Sequence, residues 1–173
     1  SDGPIFCRYP RGEGEGVDIT DIAQDVKIGK GRIIKRGKDL AILALGTRVG
    51  SALKVADYLL QYNLNITVAD ARFAKPIDTQ LVEKLWNEHQ KLIIIEEGSA
   101  GGFSSHCLHF LSSKDLLNKH DKEIKCLTMP DNFQDHASQK EQLAKAGLDT
   151  DGLMKVVSKM IPLSNVKNNS ITN

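Results

Sequence analysis

The sequence predicts a three-layer α/β/α domain around a mostly parallel sheet of about five strands, with one antiparallel edge strand. Leu40 to Leu45 is uniformly apolar and bounded by Gly46 and Thr47, the pattern of a short strand buried on both faces. Val49, Ala52, Leu53, Ala56, Leu59 and Leu60 follow at helical spacing, and Ile66-Thr67-Val68-Ala69-Asp70 is a β-branched run. Strand, helix and strand within about thirty residues make a βαβ unit, which requires parallel strands and a right-handed crossover.

Composition narrows the function classes. A chain of 173 residues makes one domain with an attached segment and buries a sizeable core. A net charge of +1 leaves no electrostatic footprint for nucleic acid, and 5% aromatics leave few platforms for stacking single strands. Cys7, Cys107 and Cys126 are far apart and odd in number, which argues against a disulfide framework or a zinc site and for a reducing compartment. There is no apolar run of membrane-spanning length and no signal peptide at the start, so a cytosolic-type domain is expected.

Pro4 to Pro10 has the look of one short strand, and Arg11-Gly12-Glu13-Gly14-Glu15-Gly16 that of a loop. The glycines do not sit between a strand and a helix, and their flanking acids repel phosphate, so a nucleotide loop is not the reading. Asp18 to Lys30 is polar, with Ile19, Ile22, Val26 and Ile28 to pin it down. A lone strand cannot bury itself, so residues 1–12 are expected to end a preceding domain and 13–31 to be a linker. Arg8 and Arg11 flank Tyr9-Pro10 beside the glycine-rich turn, where a phosphate oxygen can be gripped bidentately; a pair of solvated or salt-bridged arginines is the alternative.

From Arg32 the domain proper begins and is expected to run to residue 161. Arg32 to Arg36 and the strand from Leu40 read as a hairpin, its first arm basic like an edge strand. Asp70 and Arg72 end the second parallel strand, where open α/β sheets place ligands, although a salt bridge with Glu96 or Glu97 is the expectation. Asp78 is placed to cap a helix over Thr79 to His89 that buries Leu81, Val82, Leu85 and Trp86. Lys91 to Glu97 predicts a third parallel strand in the centre of the sheet, with Glu96 and Glu97 on opposite faces and therefore no acid–base pair.

Gly98 to Gly102 turns sharply into a helix at Ser104 to Leu111 and suits close packing against another chain segment rather than a phosphate. His106 and His109 are neighbours on that helix without a third metal ligand. Asp115 to Glu123 is loop-like, Ile124 to Met129 is the last strand, and Asn132 to Ser138 a long loop without a nucleophile elbow. Ser138 to Glu141 is a capping box for a helix that Gly147 ends; a final helix runs from Gly152 to Met160, and the tail 162–173 is expected to be disordered. Taken alone, these residues make a binding or assembly module.

Several stretches carry a resemblance. Arg8-Tyr9-Pro10-Arg11-Gly12, Ile28 to Gly31, Asp70 to Asp78, Glu96 to Gly98 with Gly101 to Ser104, and Pro130 to Phe133 through His136 to Asp149 are similar, in order and spacing, to 1-deoxy-D-xylulose-5-phosphate synthases. The resemblance implies the end of a pyrimidine-binding domain followed by a transketolase C-terminal-like domain. Enzymes of that family condense pyruvate with D-glyceraldehyde 3-phosphate, releasing carbon dioxide, on thiamine diphosphate and magnesium. It further implies a homodimer in a bacterial-type cytoplasm or a plastid, with no catalytic residue, cofactor or metal ligand in this chain. Arg11 matches a residue that grips the aldehyde's phosphate, and Arg8 is a second candidate. Two other classes are open: a regulatory anion-binding module using the helix starts at Gly46-Thr47 and Gly101-Gly102, and the C-terminal domain of a 2-oxoacid dehydrogenase β subunit that docks an acyltransferase core.

Overall fold

The structure is a computed structural model that describes residues 3–4, 26–118 and 121–161. One sheet holds β1 (Arg32–Lys35), β2 (Leu40–Ala44), β3 (Ile66–Asp70), β4 (Lys91–Ser99) and β5 (Glu123–Met129), in the spatial order β1-β3-β2-β4-β5. The last four are parallel, and β1 pairs antiparallel with β3 at one edge. Helices α1 (Arg48–Leu59), α4 (Gln139–Ala146) and α5 (Thr150–Met160) cover one face; α2 (Thr79–Glu88) and α3 (Phe103–Ser113) cover the other. The expected three-layer architecture is the one observed.

Alternation along the strands explains why their sequences are uniformly apolar. Leu40, Ile42 and Ala44 enter the core under α1 and α5, while Ala41 and Leu43 enter the one under α2 and α3. Ile93 and Ile95 divide from Leu92 and Ile94 in the same way. With each large aliphatic contributing roughly 2 kcal/mol on burial, both cores are secured through the same two strands.

Three expectations need correction. The hairpin does not form, because β3 lies between β1 and β2. The chain after β1 instead wraps the start of β3: the Gly37 amide donates to Thr67 Oγ1 (2.9 Å), whose hydroxyl donates to the Gly37 carbonyl (2.7 Å). The Lys38 and Asp39 amides both donate to the Asn65 carbonyl, against which a Cβ on Gly37 would collide. Both edges of β2 are thereby left for parallel partners, and the basic arm is an edge strand as expected. Second, the middle strand is β2, and β4 is the interior strand beside it. Third, Leu60 is exposed in a 3-10 turn (Leu60–Tyr62) rather than on the apolar stripe, whereas Val55 is fully buried. Val26 and Ile28 are also exposed and pin nothing to the described body.

Local signals predicted helix starts well. Asp78 accepts from the Leu81 amide (3.1 Å), and α2 buries the four expected side chains. Ser138 and Glu141 form the reciprocal capping box of α4, which Gly147 ends at φ +69°. Asp149 caps α5, so that helix starts at Thr150 rather than at Gly152. The stretch expected as loop before β5 contains a 3-10 turn, Leu116–Asn118, whose Leu116 carbonyl accepts from Trp86 Nε1 (3.0 Å).

Most of the expected preceding-domain end at 1–12, most of the linker at 13–31 and the tail at 162–173 lie outside the described residues, as do Arg8 and Arg11. No helix among the described residues is long and apolar enough to cross a membrane.

Candidate functional site

Open parallel sheets hold ligands at the carboxyl ends of neighbouring strands whose crossovers leave towards opposite faces. Here β2 leads into α1 on one face, and its neighbour β4 leads into α3 on the other. The crevice that topology provides lies between Gly46-Thr47-Arg48 and Glu96-Glu97-Gly98. It is filled by the chain's own charges.

Arg48 is the central group, 7% exposed although charged. Its Nε donates to Glu97 Oε1 (3.0 Å), Nη1 to the Leu148 carbonyl (2.7 Å) and Ser51 Oγ (3.3 Å), and Nη2 to Thr47 Oγ1 (3.1 Å). The Thr47 hydroxyl also donates to Glu97. One guanidinium therefore ties the start of α1, the end of β4 and the turn before α5. No sequence motif singled out Arg48, yet a signal was there. It stands four residues before Ala52, on the same buried helical stripe as Ala52, Val55, Ala56 and Leu59.

Glu96 turns to the opposite face, as strand alternation requires. It is 3% exposed, and its carboxylate accepts from the Phe103 amide (2.9 Å), the Ser104 amide (2.7 Å) and the Ser104 hydroxyl (2.8 Å). These are the free amides at the start of α3, where an anion is favoured. A Cβ on Gly98 or Gly102 would come within 2.6 Å of Glu96 Oε2. The glycines thus make room for an internal carboxylate. Glu96 thus occupies the amides at the start of α3, while Glu97 at the start of α1 is held by the Thr47 hydroxyl and the Arg48 guanidinium rather than by backbone amides.

Two thiols border Glu96. Burial, then Cys126 and Glu96 nearby, push the Cys107 thiol up to about 12. Cys126 is raised as well, chiefly by burial, partly offset by a hydrogen bond with Ser104 and reinforced by Glu96. Thiolate is the reactive form. Native protein treated with iodoacetamide at pH 8 should therefore leave Cys107 unmodified, while protein unfolded in urea is modified there within minutes. Peptide mass spectrometry reads the difference; alkylation of Cys107 at equal rates in both states would refute the packing described.

The expected salt bridge from Asp70 and Arg72 to Glu96 or Glu97 is not made. Asp70 stands opposite Arg32 in the β1–β3 register and pairs with it (3.4 Å) and with Arg72 (3.7 Å), one strand removed from both glutamates. Asp78 does more than cap α2: it accepts from the Gly31 amide (3.1 Å) and pairs with Lys30 (3.5 Å). Residues 29–31 thus dock on the 70–78 loop. His106 is half-buried and His109 exposed, and among the described residues no group of three or more His, Cys, Asp or Glu is placed to hold a metal ion. Past β5, Pro130, Asn132, Phe133, Gln134, Asp135 and Lys145 line a shallow surface pocket.

Comparison with known proteins gives this geometry a context. A family model described as "Transketolase, C-terminal domain" matches residues 29–153. A solved structure described as "Split gene transketolase, inactive beta4 tetramer" matches at TM-score 0.69 and 27% identity, over 80% of this chain and 44% of that one. A transketolase from Campylobacter jejuni subsp. jejuni NCTC 11168 matches at TM-score 0.49 and 19% identity, over 79% of this chain and 19% of that one. The chain spans less than half the length of either relative.

Proposed function

Because the chain belongs to the transketolase C-terminal domain family, we propose that it is the scaffold end of a thiamine diphosphate-dependent transferase, a 1-deoxy-D-xylulose-5-phosphate synthase. The observation that carries the scaffold role is the filled crevice: where an α/β sheet of this topology would hold a ligand, Arg48, Thr47 and Glu97 hold one another. The described residues do not fit thiamine diphosphate or magnesium. A diphosphate would meet Glu96 and Glu97 at the two helix starts, and no metal-ligating cluster stands among them. The cofactor, which supplies the decarboxylation of pyruvate and the carbon nucleophile, then belongs to the part of the enzyme that precedes this chain.

The narrower family is supported by the order and spacing of Arg8-Tyr9-Pro10-Arg11-Gly12, Asp70 to Asp78 and Pro130 to Asp149. On that reading the intact enzyme joins pyruvate and D-glyceraldehyde 3-phosphate into 1-deoxy-D-xylulose 5-phosphate, a precursor of isoprenoids, thiamine and pyridoxal. Residues 1–12 end its pyrimidine-binding domain, 13–31 link, and 32–161 form this domain of a homodimer. Arg11, with Arg8 beside it in sequence, binds the aldehyde's phosphate by charge-assisted hydrogen bonds.

The test has two arms. The 173-residue chain, given thiamine diphosphate and magnesium, should release no carbon dioxide from pyruvate, and release would sink the scaffold reading. In the intact enzyme Arg11→Ala should raise KM for the phosphorylated aldehyde by about tenfold or more, the loss of one charged hydrogen bond, with KM for pyruvate unchanged. An equal rise in both constants would remove Arg11 from the phosphate site.

A further inference from the structure

Because β2 to β5 are parallel, their carboxyl ends form one rim, and stretches far apart in sequence meet on it: residues 70–78, 98–102 and 130–136. These same stretches carry most of the resemblance; Asp70, Asp78 and Asp135 within them, and Glu96 and Glu97 beside them, hold the fold. Among the described residues, much of this rim faces solvent. Gly98 to Gly101 and Ala74 to Pro76 are exposed, and at its far flank Phe133 is 99% exposed.

Phe133 is held out rather than left loose. Gln134 Nε2 donates to the Asn132 carbonyl (3.1 Å), Gln142 Nε2 donates to the Asp135 carbonyl (3.0 Å), and Lys145 pairs with Asp135 (3.3 Å). The loop is thus tied to α4, and the phenyl ring forgoes burial that would favour folding back. Exposed aromatics elsewhere differ: Tyr58 stacks on Tyr62 (centroids 5.6 Å apart), and their hydroxyls bond at 3.2 Å.

We propose that this rim, anchored by Phe133, is the face on which the domain docks against the preceding, cofactor-bearing part of the same enzyme. The proposal rests on the function proposed above and names its interface. The occupant follows from how the chain arrives. Gly31 and Lys30 are fastened to Asp78 on this rim, with Val26 and Ile28 exposed just upstream, so the chain enters the described domain at this rim. The glycines and alanine of 98–101 let a partner backbone approach closely, and an exposed aromatic beside a shallow pocket is the usual form of an interface anchor.

Hydrogen exchange, followed by mass spectrometry on the 173-residue chain and on the intact enzyme, tests it. Amides of 98–101 and 130–136 should exchange at least about tenfold more slowly in the intact enzyme, with those at 60–63 unchanged. Phe133→Ser should abolish that slowing yet leave the thermal unfolding of the chain alone unaltered, since the ring is fully exposed. Equal exchange in both proteins would overturn the proposal, as would slowing confined to 60–63. So would slowing in the chain alone that grows with its concentration, which marks a second copy as the occupant. Carbon dioxide release by the same intact sample reports separately on the proposed function, so the two can fail independently.

Discussion

Glu96→Ala should lower the free energy of unfolding by about 3–4 kcal/mol, among the largest effects available to a single substitution in this domain. The side chain is buried, and its two oxygens accept from the Phe103 amide, the Ser104 amide and the Ser104 hydroxyl. Truncation leaves three donors without a partner at the start of α3 and removes the charge that the helix dipole favours there. Each orphaned buried donor costs about 1–3 kcal/mol, and a water entering the vacated space recovers part of that, which sets the estimate below the plain sum. Glu96→Gln separates shape from charge. It keeps the volume and one acceptor but turns an NH2 group towards a donor, so about 2 kcal/mol should be lost. Urea unfolding followed by circular dichroism measures both. A Gln variant as stable as the wild type would mean that the carboxylate is not the acceptor described.

Glu96 also shows where sequence reasoning stopped. That Glu96 and Glu97 face opposite sides follows from the period of a strand, and the structure agrees. What each one meets does not follow from that period: Glu96 turns back on the start of α3, seven and eight residues on, through the Gly98–Gly102 turn, and Glu97 meets the start of α1, 49 positions earlier, which only the fold brings near. The same division holds elsewhere. Asp78 and Ser138 cap their helices through bonds to residues three positions on, and such spacing is visible in the chain. The hairpin expectation used local reasoning at a place where the decision was not local. The run from Arg32 to Lys35 pairs with β3, more than thirty residues on, because β2 gives both of its edges to parallel neighbours. Asp70 pairs with Arg32 rather than with a glutamate for the same reason, since that neighbour is set by the register. Arg48 carries no motif, yet it holds three segments together. Its place on an apolar stripe was legible, and a charge on such a stripe demands a buried partner.

Arg48→Ala should cost about 3 kcal/mol, with a pattern that distinguishes a clamp from a simple ion pair. Glu97 keeps 30% of its side-chain surface exposed, so the charge left behind is partly solvated and the loss falls at the lower end for a broken buried pair. The Leu148 carbonyl, 100 positions away in the chain, is the other half of the cost: its bond to Nη1 is buried, and its loss frees the turn from which α5 starts. Glu97→Ala alone should therefore be milder than Arg48→Ala, at about 1–2 kcal/mol, because it leaves the bonds to Leu148, Ser51 and Thr47 in place. Arg48→Lys should rescue little, since an ammonium cannot reach three segments as the planar fork does. In a double-mutant cycle the Arg48–Glu97 coupling should come to about 1 kcal/mol, with the remainder of the Arg48 cost surviving in the Glu97→Ala background. If that remainder vanished, Arg48 would be an ion-pair partner and nothing more. If it persists, the residue that closes the sheet's ligand crevice is also the one that binds its three segments together, and a ligand could enter there only by dismantling the domain's own fastening.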